Sequence, residues 1–182
     1  MKNLKIVVFD EALKSEEHYD IVYSNISVIN LIRDEGGSID EDIHHDALLS
    51  YYVDYYLDQY ETGNFSQIVW NSGADYEFFD IVEEGLGKMG AKQHQAFLKK
   101  QVTLLKSLDY EVLEGFVEAD YSATHQTSIA LNNDEFFDIE EDVVELNANW
   151  LKGHVDLAAL SIEDIYVYVE NLLGKKIQRE EE

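Results

Sequence analysis

Cysteine and proline are both missing from this chain of 182 residues. Without cysteine there is no disulfide, no thiolate metal site and no cysteine nucleophile. Proline averages about 5% of residues, and its absence suits unkinked helices joined by glycine turns. Cations are scarce. Against 38 Asp and Glu stand 13 Lys and Arg, for a formal net charge of −25. Direct binding to nucleic acid is therefore not expected, because phosphates are held by Lys and Arg. Long apolar runs are lacking too. The apolar part of the opening MKNLKIVVFDEAL is too short for a signal peptide or a spanning helix. A soluble, cytoplasmic protein without a membrane partner is expected.

What is present argues for an ordered core. Blocks of like charge often mark disorder, but here 46% of residues are hydrophobic and 12% aromatic. A chain of this length buries roughly 70% of its unfolded surface and needs no staple. The whole of 1–182 reads as one acidic helical domain. Its charges are segregated along the chain. From Asp34 to Gly87 there are 14 acids and no Lys or Arg, and from Ser107 to Leu151 there are 12 acids and again no cation. Two carboxylates about 6 Å apart in water repel by roughly 0.7 kcal/mol before screening. A chain that needed only solubility could remove that cost with a few lysines, so the acidic faces are read as functional.

Periodicity predicts an all-α fold of about six to seven helices. Alternating Leu4, Ile6 and Val8 mark a short N-terminal strand. A first helix starts near Ser15 and stops at Gly36-Gly37. A second runs from Ile39 to about Glu61, opened by the capping box of Ser38 and Glu41. On it Asp42, Asp46, Ser50, Asp54 and Asp58 form an i+4 row that winds round the axis. Tyrosines 51, 52, 55, 56 and 60 cover nearly every other side and leave hydroxyls that need partners. Helices follow over 76–89, 91–108 and 110–121, and SATHQTSIALN at 122–132 reads as a loop. Phe136, Ile139, Val143, Leu146 and Trp150 predict one amphipathic helix from Asp134 to Gly153. A last helix covers 161–173, and 174–182 is a frayed tail.

Chemical motifs are weak by comparison. GLGKMG at 85–90 fits the dinucleotide spacing but ends an acidic helix and follows no strand. Glu41-x-x-His44 and Asp42-x-x-His45 have helical carboxylate–histidine spacing. A di-iron bundle needs a second such motif and further carboxylates, and none occurs in the sequence. No calcium loop or nucleophile elbow appears. No cofactor, no metal and no catalytic residue is expected.

The stretch TGNFSQIVWN at 62–71 carries the one resemblance. It resembles the signature of a bacterial family of acidic, mostly helical DNA-mimic proteins, Asn-Gly-Gly-Phe-x-Gln-aromatic-aromatic-x-Asn. Gly63, Phe65, Gln67 and Asn71 match in register, while Thr62, Asn64, Ile68 and Val69 depart from it. Asn at the second glycine position is the mildest change, because Asn tolerates positive φ. The likeness extends over about 15–155. It implies a DNA mimic whose carboxylates occupy the DNA-binding surface of a basic protein, such as a helix-turn-helix regulator, and a homodimer that extends the charged surface. The acids expected to stand in for phosphates are Asp42, Asp46, Asp54, Asp58 and Glu61, with Glu77, Asp80 and Glu84 and with Asp138, Glu141, Asp142 and Glu145. Two alternatives stay open. One is an immunity or antitoxin-type inhibitor of a basic nuclease. The other is a helical metal protein or enzyme built on Glu41, His44 and His45.

Overall fold

Two short apolar runs at opposite ends of the chain pair with one another. In the computed structural model, which describes residues 4–37 and 40–179, β1 (Ile6–Phe9) lies parallel to β2 (Leu157–Leu160), with Ile6 opposite Leu157 and Phe9 opposite Leu160. The described residues otherwise form eight α-helices: α1 (His18–Gly36), α2 (His45–Asn71), α3 (Tyr76–Met89), α4 (Lys92–Lys106), α5 (Tyr110–Glu118), α6 (Gln126–Leu131), α7 (Val143–Lys152) and α8 (Ile162–Leu173). Short 3-10 turns sit at Asp40–Asp42 and Asp134–Asp138. The fold is mainly helical, as the periodicity indicated, with more helices than expected and a small parallel sheet.

The chain divides into two compact units, Met1–Tyr51 with Val144–Glu182, and Tyr52–Val143. In the first, α1 and α8 pack on the strand pair. Its core is aliphatic, with Ile6, Val8, Ile21, Ile29, Leu151, Ile165 and Val169 all essentially inaccessible. The second unit is aromatic at its centre. Tyr56, Tyr60, Phe65 and Phe79 are fully buried, and the ring of Tyr60 stacks on Phe136 at 3.9 Å and 11°. α3 and α4 form a hairpin, and α6 packs against α4 and α5.

One sequence expectation is extended and three are corrected. The strand at the N-terminus has a partner in LAAL, which carries no period-2 polar alternation to mark it. The loop expected at 122–132 contains α6, started by the His125 side chain accepting from the Thr127 N–H. It buries Thr127 and Ser128 beside Leu131, so hydrophobic spacing gives no signal. The amphipathic helix expected from Asp134 is broken. A 3-10 turn ends at Asp138, Ile139 is extended, and α7 starts only at Val143. The reason lies in Glu141, whose carboxylate accepts from the backbone N–H groups of Gln93 and His94 at 2.9 and 3.0 Å. That clasp on the start of α4 holds residues 139–142 out of helix. Finally, α2 starts at His45 rather than Ile39 and, past a break at Asn64, runs on to Asn71 rather than ending near Glu61. The capping box rested on Ser38, which lies outside the described residues.

Candidate functional site

The break in α2 is a joint made largely of polar side chains. Asn64 has φ 63° and ψ −171°, a region that glycine occupies readily and other residues seldom do. Its side chain compensates. Oδ1 accepts from the N–H groups of Phe65 (2.7 Å) and Asn133 (2.9 Å), and Nδ2 donates to Asp134 (2.8 Å). Ser66 N–H donates to Asn132 Oδ1, and Tyr121 OH donates to the Gly63 carbonyl. Phe65 anchors the joint in the aromatic core. Gln67 folds back over Gly63, donating to Thr62 and Gln59, and Asn71 donates to the same Gln59 oxygen. A Cβ on residue 63 would lie 1.8 Å from Gln67 Oε1 and 2.6 Å from Gln67 Cβ. Gln67 and Asn71 thus tie the second half of α2 back to Thr62 and Gln59 over Gly63, while Gly63, Asn64, Ser66 and Trp70, whose indole N–H donates to the Ala119 carbonyl, fix it against residues 119–121 and 132–134.

The joint fixes the acids that flank it, and these are of two kinds. Along α2 the i+4 row does not form one exposed line. Each step turns about 40° round the axis, which takes Ser50 into the core and leaves Asp46 and Asp54 half-buried and Asp58 exposed. Asp46 accepts from His154 Nε2 at 2.9 Å. Asp42 lies in the 3-10 turn, off the helix, and is half-buried. Glu141 is spent on the α4 clasp. Glu84 pairs with Lys88 (3.1 Å), and Glu145 lies 3.9 Å from His18. Asp138 is exposed at the end of the 3-10 turn and Asp142 in the non-helical stretch that follows. Asp58, Glu61, Glu77 and Asp80 are exposed, and none has an ion-pair partner among the described residues.

The lysine-rich helix α4 offsets part of the charge around it. Lys99 pairs with Glu83 (3.2 Å) and Lys100 with Glu135 (2.6 Å), and the Lys100 ammonium lowers the pKa of Glu135. The segregation seen along the sequence is therefore partly undone in space. The unit Tyr52–Val143 still carries 19 carboxylates against five lysines. Some of those acids were not among the expected contacts, and three of them share one helix. Glu111, Glu114 and Glu118 sit at i, i+3 and i+7 on α5, all exposed. Their spacing was the available signal.

Residues 41–154 match the family described as DMP19-like protein. The chain belongs to the DMP19-like family. This is a family of DNA mimics, and the match covers the joint, the whole of the acidic unit and α7, and ends before β2. No curated protein and no solved structure matches the chain.

Inside the DMP19-like region, the histidines of the candidate metal motif face other work. His44 Nδ1 accepts from the Asp46 N–H, and its Nε2 lies 3.7 Å from Asp156 Oδ2. Asp156 also takes the Lys5 ammonium at 2.7 Å, which lowers its pKa. Burial lowers the pKa of His44. Glu41 and His45 are exposed. Among the described residues no group of three or more His, Asp or Glu is arranged to hold a metal ion. The glycines of 85–90 are structural. Gly87 lies under the Gln95 amide, and Gly90, at φ 86°, closes α3. No helix among the described residues is long and apolar enough to cross a membrane.

Proposed function

We propose that this DMP19-like protein is a non-catalytic DNA mimic that covers the DNA-binding surface of a basic DNA-binding protein, in the manner of a helix-turn-helix regulator meeting its operator. The observation that carries the reading is the set of exposed carboxylates on either side of the joint, Asp58 and Glu61 on α2 and Glu77 and Asp80 on α3, left without cationic partners among the described residues. Helices hold charges at fixed intervals, as duplex phosphates do, and Lys and Arg that grip a DNA backbone would meet these oxygens instead. The half-buried or hydrogen-bonded acids, Asp46 and Glu141 above all, hold the fold and leave the recognition to the exposed set. A homodimer would extend the surface; Ile162 and Val167, 53% and 45% exposed on α8, are candidate seam residues.

The test is a pull-down from lysate of the source cell with the full chain as bait, eluted with salt and separately with duplex DNA. A basic DNA-binding protein released by both is the expected result, since such contacts are steeply salt-dependent. The double variant Asp58→Lys, Glu61→Lys should keep the fold by circular dichroism and lose at least tenfold in affinity for that protein. Retention of a nuclease whose activity is blocked would select the immunity reading. Unchanged capture by the charge-reversed variant would remove these residues from the contact surface.

A further inference from the structure

The unit Tyr52–Val143 has a second feature that phosphate mimicry does not use. A groove of about 500 Å³ opens between the turn before α3 and the helix α5. Its lining includes Tyr76, Leu108, Tyr110, Leu113 and Val117. Tyr110 is 73% and Tyr76 37% exposed, so large apolar surface is left in water at one place. The turn that forms one wall is a tight one closed by a backbone hydrogen bond. Gly73 and Ala74 both take positive φ, 64° and 58°, and the Ala74 N–H donates to Val69 O at 2.8 Å. Glu114 and Glu118 line the groove from α5, with Glu111 one turn earlier on the same helix. Glu114 accepts from Tyr110 OH at 3.0 Å. One cation is present, Lys106, which lies 5.3 Å above the Tyr76 ring.

We infer that this groove receives an amphipathic basic helix of the partner, apolar residues down and Lys or Arg over the glutamates. The inference rests on the partner-binding reading above and adds an apolar contact that carboxylates standing in for phosphates do not supply. Charge chooses the occupant. Glu114 and Glu118 are one helical step apart, so their carboxylates match cations at i and i+4 on an opposing helix. A second copy of this chain, with net charge −25, would bring acids to an acidic rim. An apolar groove read by side chains at i, i+3, i+4 and i+7 is a recurring way to bind a helix. It supplies what surface charge lacks, a contact that survives salt and separates one basic protein from another.

The test uses the full chain and two fluorescein-labelled 18-residue peptides of identical leucine and lysine content. In one the leucines fall at i, i+3, i+4 and i+7; in the other they are scattered. Fluorescence anisotropy should show the amphipathic peptide binding at least tenfold more tightly, with a residual affinity at 0.5 M NaCl. Val117→Asp and, separately, the exposed Tyr110→Ser should each remove that preference, as should Glu114→Lys with Glu118→Lys. Equal, salt-labile binding of both peptides would overturn the groove and leave charge-based mimicry standing. Binding of neither would overturn the groove and count against mimicry as well. A preference that persists in both Val117→Asp and Tyr110→Ser would place the apolar contact elsewhere and overturn the proposal.

Discussion

Tyr56 and Tyr60 are one helical turn apart, equally buried, and differ in one atom's surroundings. Tyr60 OH donates to the Asn133 carbonyl at 2.7 Å, and burial with the nearby Asp134 and Glu135 charges pushes its pKa well above the ordinary tyrosine value, so it stays a neutral donor. Tyr56 OH finds no hydrogen-bond partner among the described residues. A buried hydrogen bond is worth about 1 kcal/mol net, whereas an unsatisfied buried hydroxyl costs about 1–3 kcal/mol. Tyr60→Phe should therefore lower stability by about 1 kcal/mol, and it leaves the Asn133 carbonyl short of a donor. Tyr56→Phe should be neutral or stabilising by up to about 1 kcal/mol. Urea unfolding of both variants checks the pair. Equal losses would mean that the Tyr56 hydroxyl is satisfied in solution.

At the scale of the element, the start of α4 depends on a residue 48 positions away. Glu141 takes the Gln93 and His94 N–H groups, while the Ala91 cap position offers no side-chain bond. Loss of an N-terminal cap costs about 0.5–2 kcal/mol. Glu141→Ala should cost an amount in that range, with faster amide exchange at Gln93 and His94 than elsewhere in α4; uniform acceleration along the helix would refute a local clasp. This element also shows what periodicity reads and what it misses. The helix expected over 76–89 is α3, because the Asp75 cap and the apolar face of Phe78, Phe79, Val82 and Leu86 agree there. The apolar spacing from Phe136 to Trp150 was just as regular, yet the chain breaks at 139–142 because a carboxylate is needed at a distant helix end. Periodicity cannot report such tertiary hydrogen bonds. The candidate surface divides the same way. Glu61, Glu77 and Asp80 are exposed on their helices, while Asp46 and Glu141 are held by partners that only folding brings near. Asn64 was legible as a tolerated substitute for glycine, but its two hydrogen bonds across the joint, to Asn133 and Asp134, were not.

At the scale of the whole molecule two titrations and one field make the stability depend on pH and salt. Burial lowers the pKa of both His44 and His94 below the ordinary value of about 6.5. The unfolded chain then binds protons first as pH falls, so this contribution is full above about pH 6.5 and declines through the folded values below it. Carboxylates, ordinarily titrating near pH 4, stay charged over most of that window. Stability by urea unfolding should fall between pH 7.5 and 5.5, and His94→Leu should flatten the fall; a rise would mean that relief of repulsion outweighs both histidines. The field is tested with the histidines held neutral, at pH 7.5. Each unit is negative by itself, 19 acids against five cations in one and 19 against eight in the other. Ion pairs such as Lys99–Glu83 and Lys100–Glu135 pull the other way, since salt weakens them, but exposed pairs are worth only about 0–1 kcal/mol each. Repulsion among the unpaired majority should win. Between 10 and 150 mM NaCl the Debye length drops from about 30 Å to about 8 Å, which screens neighbours beyond one helical turn. Each 1 kcal/mol recovered should raise the melting temperature by about 2–4 °C for a chain of this size. The rise should shrink in a variant that replaces Asp58, Glu61, Glu77 and Asp80 with their amides. If the wild type instead melts at the same temperature across that range, the exposed acids are too far apart to form the dense negative surface that a partner would read as DNA.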